Sequence, residues 1–256
     1  MSTQQAKAKA FRKLHVVGEP VILYNVWDPG SAKAVTSVGA KAVGTSSWAV
    51  AEALGFSDGE QTPLDLVIDN LRRIVESTEL PVSVDLEGGY TDQAKPANIS
   101  ETIDLALDAG AVGCNLEDSI PATGRLREAA DQAARIRTAR RAADKAGLPF
   151  FINARTDVFL RGQSARNSAA ILTEALERAK TYADAGANGI FVPGLADIAL
   201  ISQLVNESPL PINIMIDDAR SIKSLADSGV ARVSFGASPY INSASALEEA
   251  ARKANS

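Results

Sequence analysis

The sequence holds a single cysteine, Cys114, and a single histidine, His15, in 256 residues. A lone cysteine forms no disulfide within the chain and builds no cysteine-rich metal site. A lone histidine excludes a histidine-cluster zinc centre and argues against a serine–histidine triad. Positive charge is not in excess: the formal net charge is -5, which argues against nucleic acid or an anionic membrane as the main partner. No apolar run is long enough to span a bilayer. The stretch 1–13 is polar and basic without an apolar centre, so no signal peptide is expected. No GxGxxG or P-loop pattern follows the first apolar run, and no low-complexity segment or linker divides the chain. A reducing cytoplasm is the expected compartment.

What is present suits one globular domain covering 1–256. The apolar fraction of 46% is ample for a core, and 22% charged residues is ordinary for a soluble protein. Helical spacing of Phe11 and Leu14 predicts an N-terminal helix over about 4–17. After it, short apolar runs alternate with helical patterns. The runs are 21–26, 42–46, 82–87, 112–117, 150–156, 189–192, 212–216 and 232–235. The helical patterns are 30–38, 65–76, 99–109, 125–146, 164–185, 197–206, 221–228 and 243–254. Several of these end on a glycine that leads straight into the next run, as in Ala109-Gly110-Ala111 and Ala185-Gly186-Ala187. Near-continuous apolar strands alternating with helices indicate a parallel sheet covered on both faces. Eight such units close a (β/α)₈ barrel of TIM type. A doubly wound open sheet is the competing architecture.

Barrel chemistry sits at the C-terminal ends of the strands, so those ends name the candidates. The third gives Asp85 and Glu87, which share a face with Ser83 because side chains alternate along a strand. Paired acids at a strand end are either a site for a hard divalent cation or two solvated surface groups. The second end gives Ser46, Ser47 and Trp48, the fourth Glu117 with Asn115, the fifth Asn153, Arg155 and Asp157, and the seventh Asn213. Arg155 is either a planar fork for a carboxylate or structural glue to a neighbouring acid. Asp157 either orients Arg155 or caps the following segment.

The motifs Trp27-Asp28 with Ser31-Ala32, Thr45-Ser46-Ser47, Gly55 with Asp58, 85–90, Leu116-Glu117-Asp118, 154–157 and 191–194 together resemble the isocitrate lyase / phosphoenolpyruvate mutase superfamily, most of all its phosphonomutase-like branch. The resemblance implies a magnesium ion, or manganese, held by Asp85 with Glu87 and Glu117 directly or through water and Asp58 in the outer shell. It implies a small α-keto or 2-hydroxy acid substrate, held by Arg155 and the amides near Ser47 and Trp48; the strand-end residues Ser46 and Asn213 are further substrate-binding candidates. It also implies a homo-oligomer, dimer or tetramer, in which the last helix is swapped between subunits. An extra terminal helix carried by many relatives is not expected after 254.

The lyases of the superfamily carry a cysteine, lysine and histidine on the loop after the fourth strand; here 119–128 has none of them. A thiol acid is therefore not expected, and Cys114 reads as a small core residue. Thr123 stands where phosphonate hydrolases use a loop threonine, or is a turn residue before Gly124. Arg125 and Arg127 either close over an anion or start a solvated helix. Arg155, Glu117 and Thr123 are the catalytic candidates. The expected activity is magnesium-dependent C–C cleavage or decarboxylation through a pyruvate-enolate-like intermediate. P–C bond chemistry on a phosphonopyruvate-like substrate and a catalytically silent metal and dicarboxylate binder are the alternatives.

Overall fold

A computed structural model describes residues 3–91, 98–161 and 168–255. Eight parallel strands are found among the described residues: β1 (Val21–Leu23), β2 (Val43–Gly44), β3 (Val82–Asp85), β4 (Gly113–Glu117), β5 (Phe151–Arg155), β6 (Gly189–Phe191), β7 (Ile212–Met215) and β8 (Arg232–Ser234). From β2 to β8 each pairs with the next in chain order, and β8 pairs with β1. The ring closes where Val26 bridges Thr45 beyond the end of β1. The (β/α)₈ barrel expected from the alternation is the architecture observed.

The helices are α1 (Thr3–Lys13), α2 (Pro29–Ser37), α3 (Ser47–Leu54), α4 (Leu64–Glu76), α5 (Ile99–Asp108), α6 (Ala129–Lys145), α7 (Val158–Arg161), α8 (Ser168–Asp184), α9 (Ile198–Glu207), α10 (Ile222–Asp227) and α11 (Ser238–Ala254). Their starts have visible chemical causes. Asp28 and Ser31 form a reciprocal capping box on α2, and Ser46 Oγ accepts from Ala49 N–H at the start of α3. At the bottom of the barrel Phe11 of α1 is fully buried edge-on against Phe151, and His15 stacks on the same ring with centroids 3.9 Å apart.

Some boundaries differ from the periodic pattern. The N-terminal helix stops at Lys13, because Leu14 and His15 close a tighter turn and the chain reverses through Gly18 at φ +80°. The helix expected from 125 starts at Ala129, because Ser119 pairs antiparallel with Leu126 and holds the intervening segment as a turn. The helix expected from 243 starts earlier, at Ser238, with Pro239 in its first turn, where no backbone N–H is needed. Residues 164–167 of the helix expected over 164–185 lie outside the described residues.

One boundary bears on the site. Strand β3 ends at Asp85, and Glu87 and Tyr90 have left-handed backbones at φ +49° and +58°. Glu87 therefore does not share a strand face with Asp85, and the alternation argument for that pair fails. The two acids come together through a turn instead.

Beyond Tyr240, which meets Trp27 and Trp48 edge-on, most of α11 is exposed. Pro239 is its one buried residue, while Ile241 is 47% and Leu247 71% exposed.

Candidate active site

The cavity at the C-terminal ends of the strands is ≈ 170 Å³ and is lined in part by Ser46, Ser47, Trp48, Asp58, Asp85 and Arg155. That is below the roughly 300–1,000 Å³ common for drug-sized ligands and suits a small acid. Among the described lining residues the titratable side chains are Asp58, Asp85 and Arg155.

Asp85 is the centre of the arrangement. Its Oδ2 accepts from the Ser47 hydroxyl at 3.1 Å and from Ser47 N–H at 3.4 Å. Those donors belong to the first turn of α3, whose N–H groups have no partner inside the helix and carry its positive dipole end. Asp85 Oδ1 is buried with no partner among the described residues. A buried carboxylate oxygen left unpaired is costly unless something positive approaches it.

The other acids surround Asp85 at different depths. Glu87 is buried, with Oε2 accepting from Glu60 N–H at 2.7 Å and Oε1 from the Tyr90 hydroxyl at 2.9 Å. Burial, and then the charges of Asp58 and Asp85, push its carboxyl up to about 8. Asp58, at the cavity rim, is raised by burial and then by Asp85. Glu117 is raised well above the usual range, by burial first and against the pull of Arg155. Each acid thus makes the next harder to ionise, the pattern that a bound dication relieves. Among the described residues no three His, Cys, Asp or Glu side chains form a closed metal-holding set. Magnesium keeps several waters and needs only one or two direct carboxylates. Asp85, with its open oxygen, fits the direct role. Glu87, with both oxygens engaged, fits contact through water.

Arg155 is held rigidly. Its Nε and Nη2 reach the two oxygens of Asp157 at 2.6 and 3.0 Å, and Nη1 reaches Glu117 Oε2 at 2.9 Å. Three of its five N–H groups are spent on protein, so the flat Nε edge goes to Asp157 and two N–H groups remain. Both readings of Arg155 therefore apply at once: it binds neighbouring acids and still lines the cavity. Asp157 is fully buried and orients it, while its own N–H donates to Asp118, which Arg178 and Tyr182 anchor from α8.

The remaining candidates lie elsewhere. Asn213 is buried beneath the cavity, where its Oδ1 accepts from Ser234, and it is not among the described lining residues. Thr123 is exposed, and its Oγ1 accepts from Arg125 N–H at 3.3 Å within the turn. Neither Thr123, Arg125 nor Arg127 is among the described lining residues. Cys114 is fully buried and its thiol is pushed up to about 12, an inert core position. Sequence reasoning missed Asn25, whose side chain ties Thr45 to Phe235 and Gly236 across the closing seam. Its signal was a lone amide inside the apolar run 21–26. Phe191, Met215 and Ser234 complete the wall.

Known proteins share this fold and much of the sequence. The phosphoenolpyruvate phosphomutase family model matches residues 11–255. A candidate phosphonomutase from Burkholderia cenocepacia J2315 superposes with a TM-score of 0.93 at 47% identity, covering 98% of this chain and 99% of that one. The 2-methylisocitrate lyase of Escherichia coli K12 is 29% identical over 80% of this chain and 68% of its own length. The oxaloacetate decarboxylase of Pseudomonas fluorescens SBW25 is 26% identical over 98% of this chain and 85% of its own. This chain belongs to the phosphoenolpyruvate mutase/isocitrate lyase superfamily.

Proposed function

We propose that this protein is a magnesium-dependent lyase of a small α-keto or 2-hydroxy dicarboxylic acid, working by C–C cleavage or decarboxylation. The observation that carries the reading is the buried Asp85 Oδ1, without a partner among the described residues, beside the Ser47 amide and Arg155 in one small cavity. Asp85 would hold the metal, with Glu87 and Glu117 bound directly or through water and Asp58 in the outer shell. When bound, magnesium or manganese supplies Lewis-acid stabilisation of an oxyanion. The Trp48 N–H in the first turn of α3, beside the Ser47 N–H that Asp85 already takes, and the two remaining N–H groups of Arg155 take the substrate carboxylate and oppose charge as it develops on an enolate oxygen. Asp157 and Glu117 keep the guanidinium in place, so little reorganisation accompanies the reaction. The turn 119–126 brings no acid or base to the described cavity wall, which leaves protonation of the enolate to water.

P–C bond chemistry on a phosphonopyruvate-like substrate is the second reading, favoured by the similarity to the Burkholderia candidate phosphonomutase. A silent binder of metal and dicarboxylate is the third, motivated by the missing loop groups. Incubation with magnesium and oxaloacetate, methylisocitrate-like acids, dimethylmalate-like acids or phosphonopyruvate, following pyruvate release and, for phosphonopyruvate, its consumption, separates the three. Turnover of oxaloacetate or a hydroxy diacid supports the lyase. Turnover of phosphonopyruvate alone supports the second reading, and magnesium-dependent oxalate binding without turnover the third.

We infer a homo-oligomer, dimer or tetramer, in which the bare face of α11 packs on a second copy of the chain. The cytoplasm is the compartment the lone cysteine favours. Among the described residues no helix is long and apolar enough to cross a membrane.

A further inference from the structure

Beneath the cavity the barrel interior is polar, and a cation lies in it. Arg232 opens β8 and is 1% exposed. Its Nε and Nη1 have no partner among the described residues, and its Nη2 donates to Asn115 Oδ1 at 3.1 Å. Strands β8 and β4 lie four places apart in the ring of eight, so this bond crosses the lumen. Asn153 Nδ2 donates to the same Asn115 oxygen at 2.9 Å. No carboxylate bonds this guanidinium among the described residues, and the charge of Asp85 only partly offsets its burial; an aliphatic side chain would fill the lumen without that cost.

The chemistry of the donor settles the orientation of Asn115. A guanidinium has N–H groups only and accepts nothing. The Asn115 atom that faces Arg232 is therefore the carbonyl oxygen, and Asn153 fixes it a second time. The amide NH₂ is left on the other side. Asn115 lines the cavity with Asp85 and Arg155, and its Nδ2 has no hydrogen-bond partner among the described residues.

We propose that Arg232 is a positioning residue that, with Asn153, locks the Asn115 amide so that its NH₂ is a fixed donor to an oxygen of the bound ligand. The proposal rests on the reading of this cavity as a carboxylate and enolate site. It adds a selection rule: the cavity floor receives a ligand atom that accepts a hydrogen bond, such as a carboxylate or carbonyl oxygen, and disfavours one that donates.

The test is oxalate binding by titration calorimetry at saturating magnesium, with melting temperature and manganese affinity measured on the same samples. Asn115→Leu keeps the size and removes the donor; its oxalate affinity is expected to fall about tenfold, the loss of one hydrogen bond to a charged ligand. Arg232→Met is expected to lower oxalate affinity in the folded protein without weakening manganese binding, since it removes a positive charge that acts on Asp85. Arg232→Lys recovers part of the loss, because an ammonium also only donates. A purely structural role would move the melting temperature and leave the oxalate affinity of folded protein alone. Folded Asn115→Leu or Arg232→Met with parental oxalate affinity overturns the proposal; if Arg232→Met does not fold, Asn115→Leu and Arg232→Lys decide. Parental protein that binds no oxalate overturns this proposal together with the function it rests on.

Discussion

The Ser47 hydroxyl stands 3.1 Å from Asp85 Oδ2, so the first turn of α3 and the end of β3 share one carboxylate. That contact uses one oxygen and leaves Oδ1 facing the interior without a partner among the described residues. A helix start and a strand end have thus been brought to the same point, one offering N–H groups and the other negative charge. A metal carboxylate complex needs both at once, the charge for the metal and the N–H groups for the anion.

Arg155 depends on Asp157 for its orientation. Arg155→Lys removes the planar fork that spans Asp157 and Glu117, and an ammonium cannot replace it. Oxalate affinity at saturating magnesium is expected to fall by at least about tenfold, since a charge-assisted hydrogen bond is worth roughly 1.5–3 kcal/mol. Asp157→Asn leaves Arg155 charged but loosely held, and a smaller drop in the same direction is expected. Calorimetric titration of both variants checks this; unchanged affinity in Arg155→Lys would reduce the residue to a structural ion pair.

The barrel was legible in the sequence because eight apolar runs and eight helical patterns repeat with few interruptions. The candidate acids were legible because barrel strands deliver chemistry at one end. The path that joins Asp85 to Glu87 was not. Strand alternation predicts a shared face, whereas the left-handed backbone at Glu87 is imposed by Glu60 N–H and Tyr90, groups remote from the apolar pattern. Asn115 was visible only as a neighbour of Glu117. Its orientation depends on Arg232, 117 residues away, and no local spacing reports such a contact. Helix α3 was missed because its short apolar stretch follows directly on a strand, with only Ser46 as a cap to mark it.

The Glu87 carboxyl titrates at about 8 in the folded protein against 4.5 for the free group. Between those values the folded state binds the extra proton, so this contribution to stability is full below 4.5 and is lost as pH rises through about 8. Metal-free protein is expected to melt at progressively lower temperature across that range, and Glu87→Gln to flatten the trend. Melting curves in a chelator, read as the difference between variant and parent, test it. Equal slopes would show that Glu87 ionises normally.

His15 acts in the opposite direction. Burial, followed by the charge of Arg232, lowers it to about 3 from 6.5. The folded state binds fewer protons than the unfolded chain between those values. Its contribution to stability is therefore present above 6.5 and is lost as pH falls towards 3. His15→Phe keeps an aromatic ring against Phe151 and is expected to resist acid unfolding better than the parent. Acid titration followed by far-ultraviolet circular dichroism gives the answer, and identical acid midpoints would remove His15 from the account.

The exposed apolar face of α11 predicts self-association. Leu247→Arg, at a position 71% exposed in the single chain, is expected to lower the molar mass in solution while leaving the barrel folded. Light scattering coupled to gel filtration measures it. A parental protein that is monomeric at all concentrations would contradict the inferred oligomer.

The most direct test of the central claim is calorimetric titration of oxalate into the parent and into Asp85→Ala, each with and without magnesium. The account predicts binding to the parent only when magnesium is present, and none to a folded Asp85→Ala under either condition. Oxalate binding to Asp85→Ala at parental strength, or binding to the parent that ignores magnesium, would contradict it.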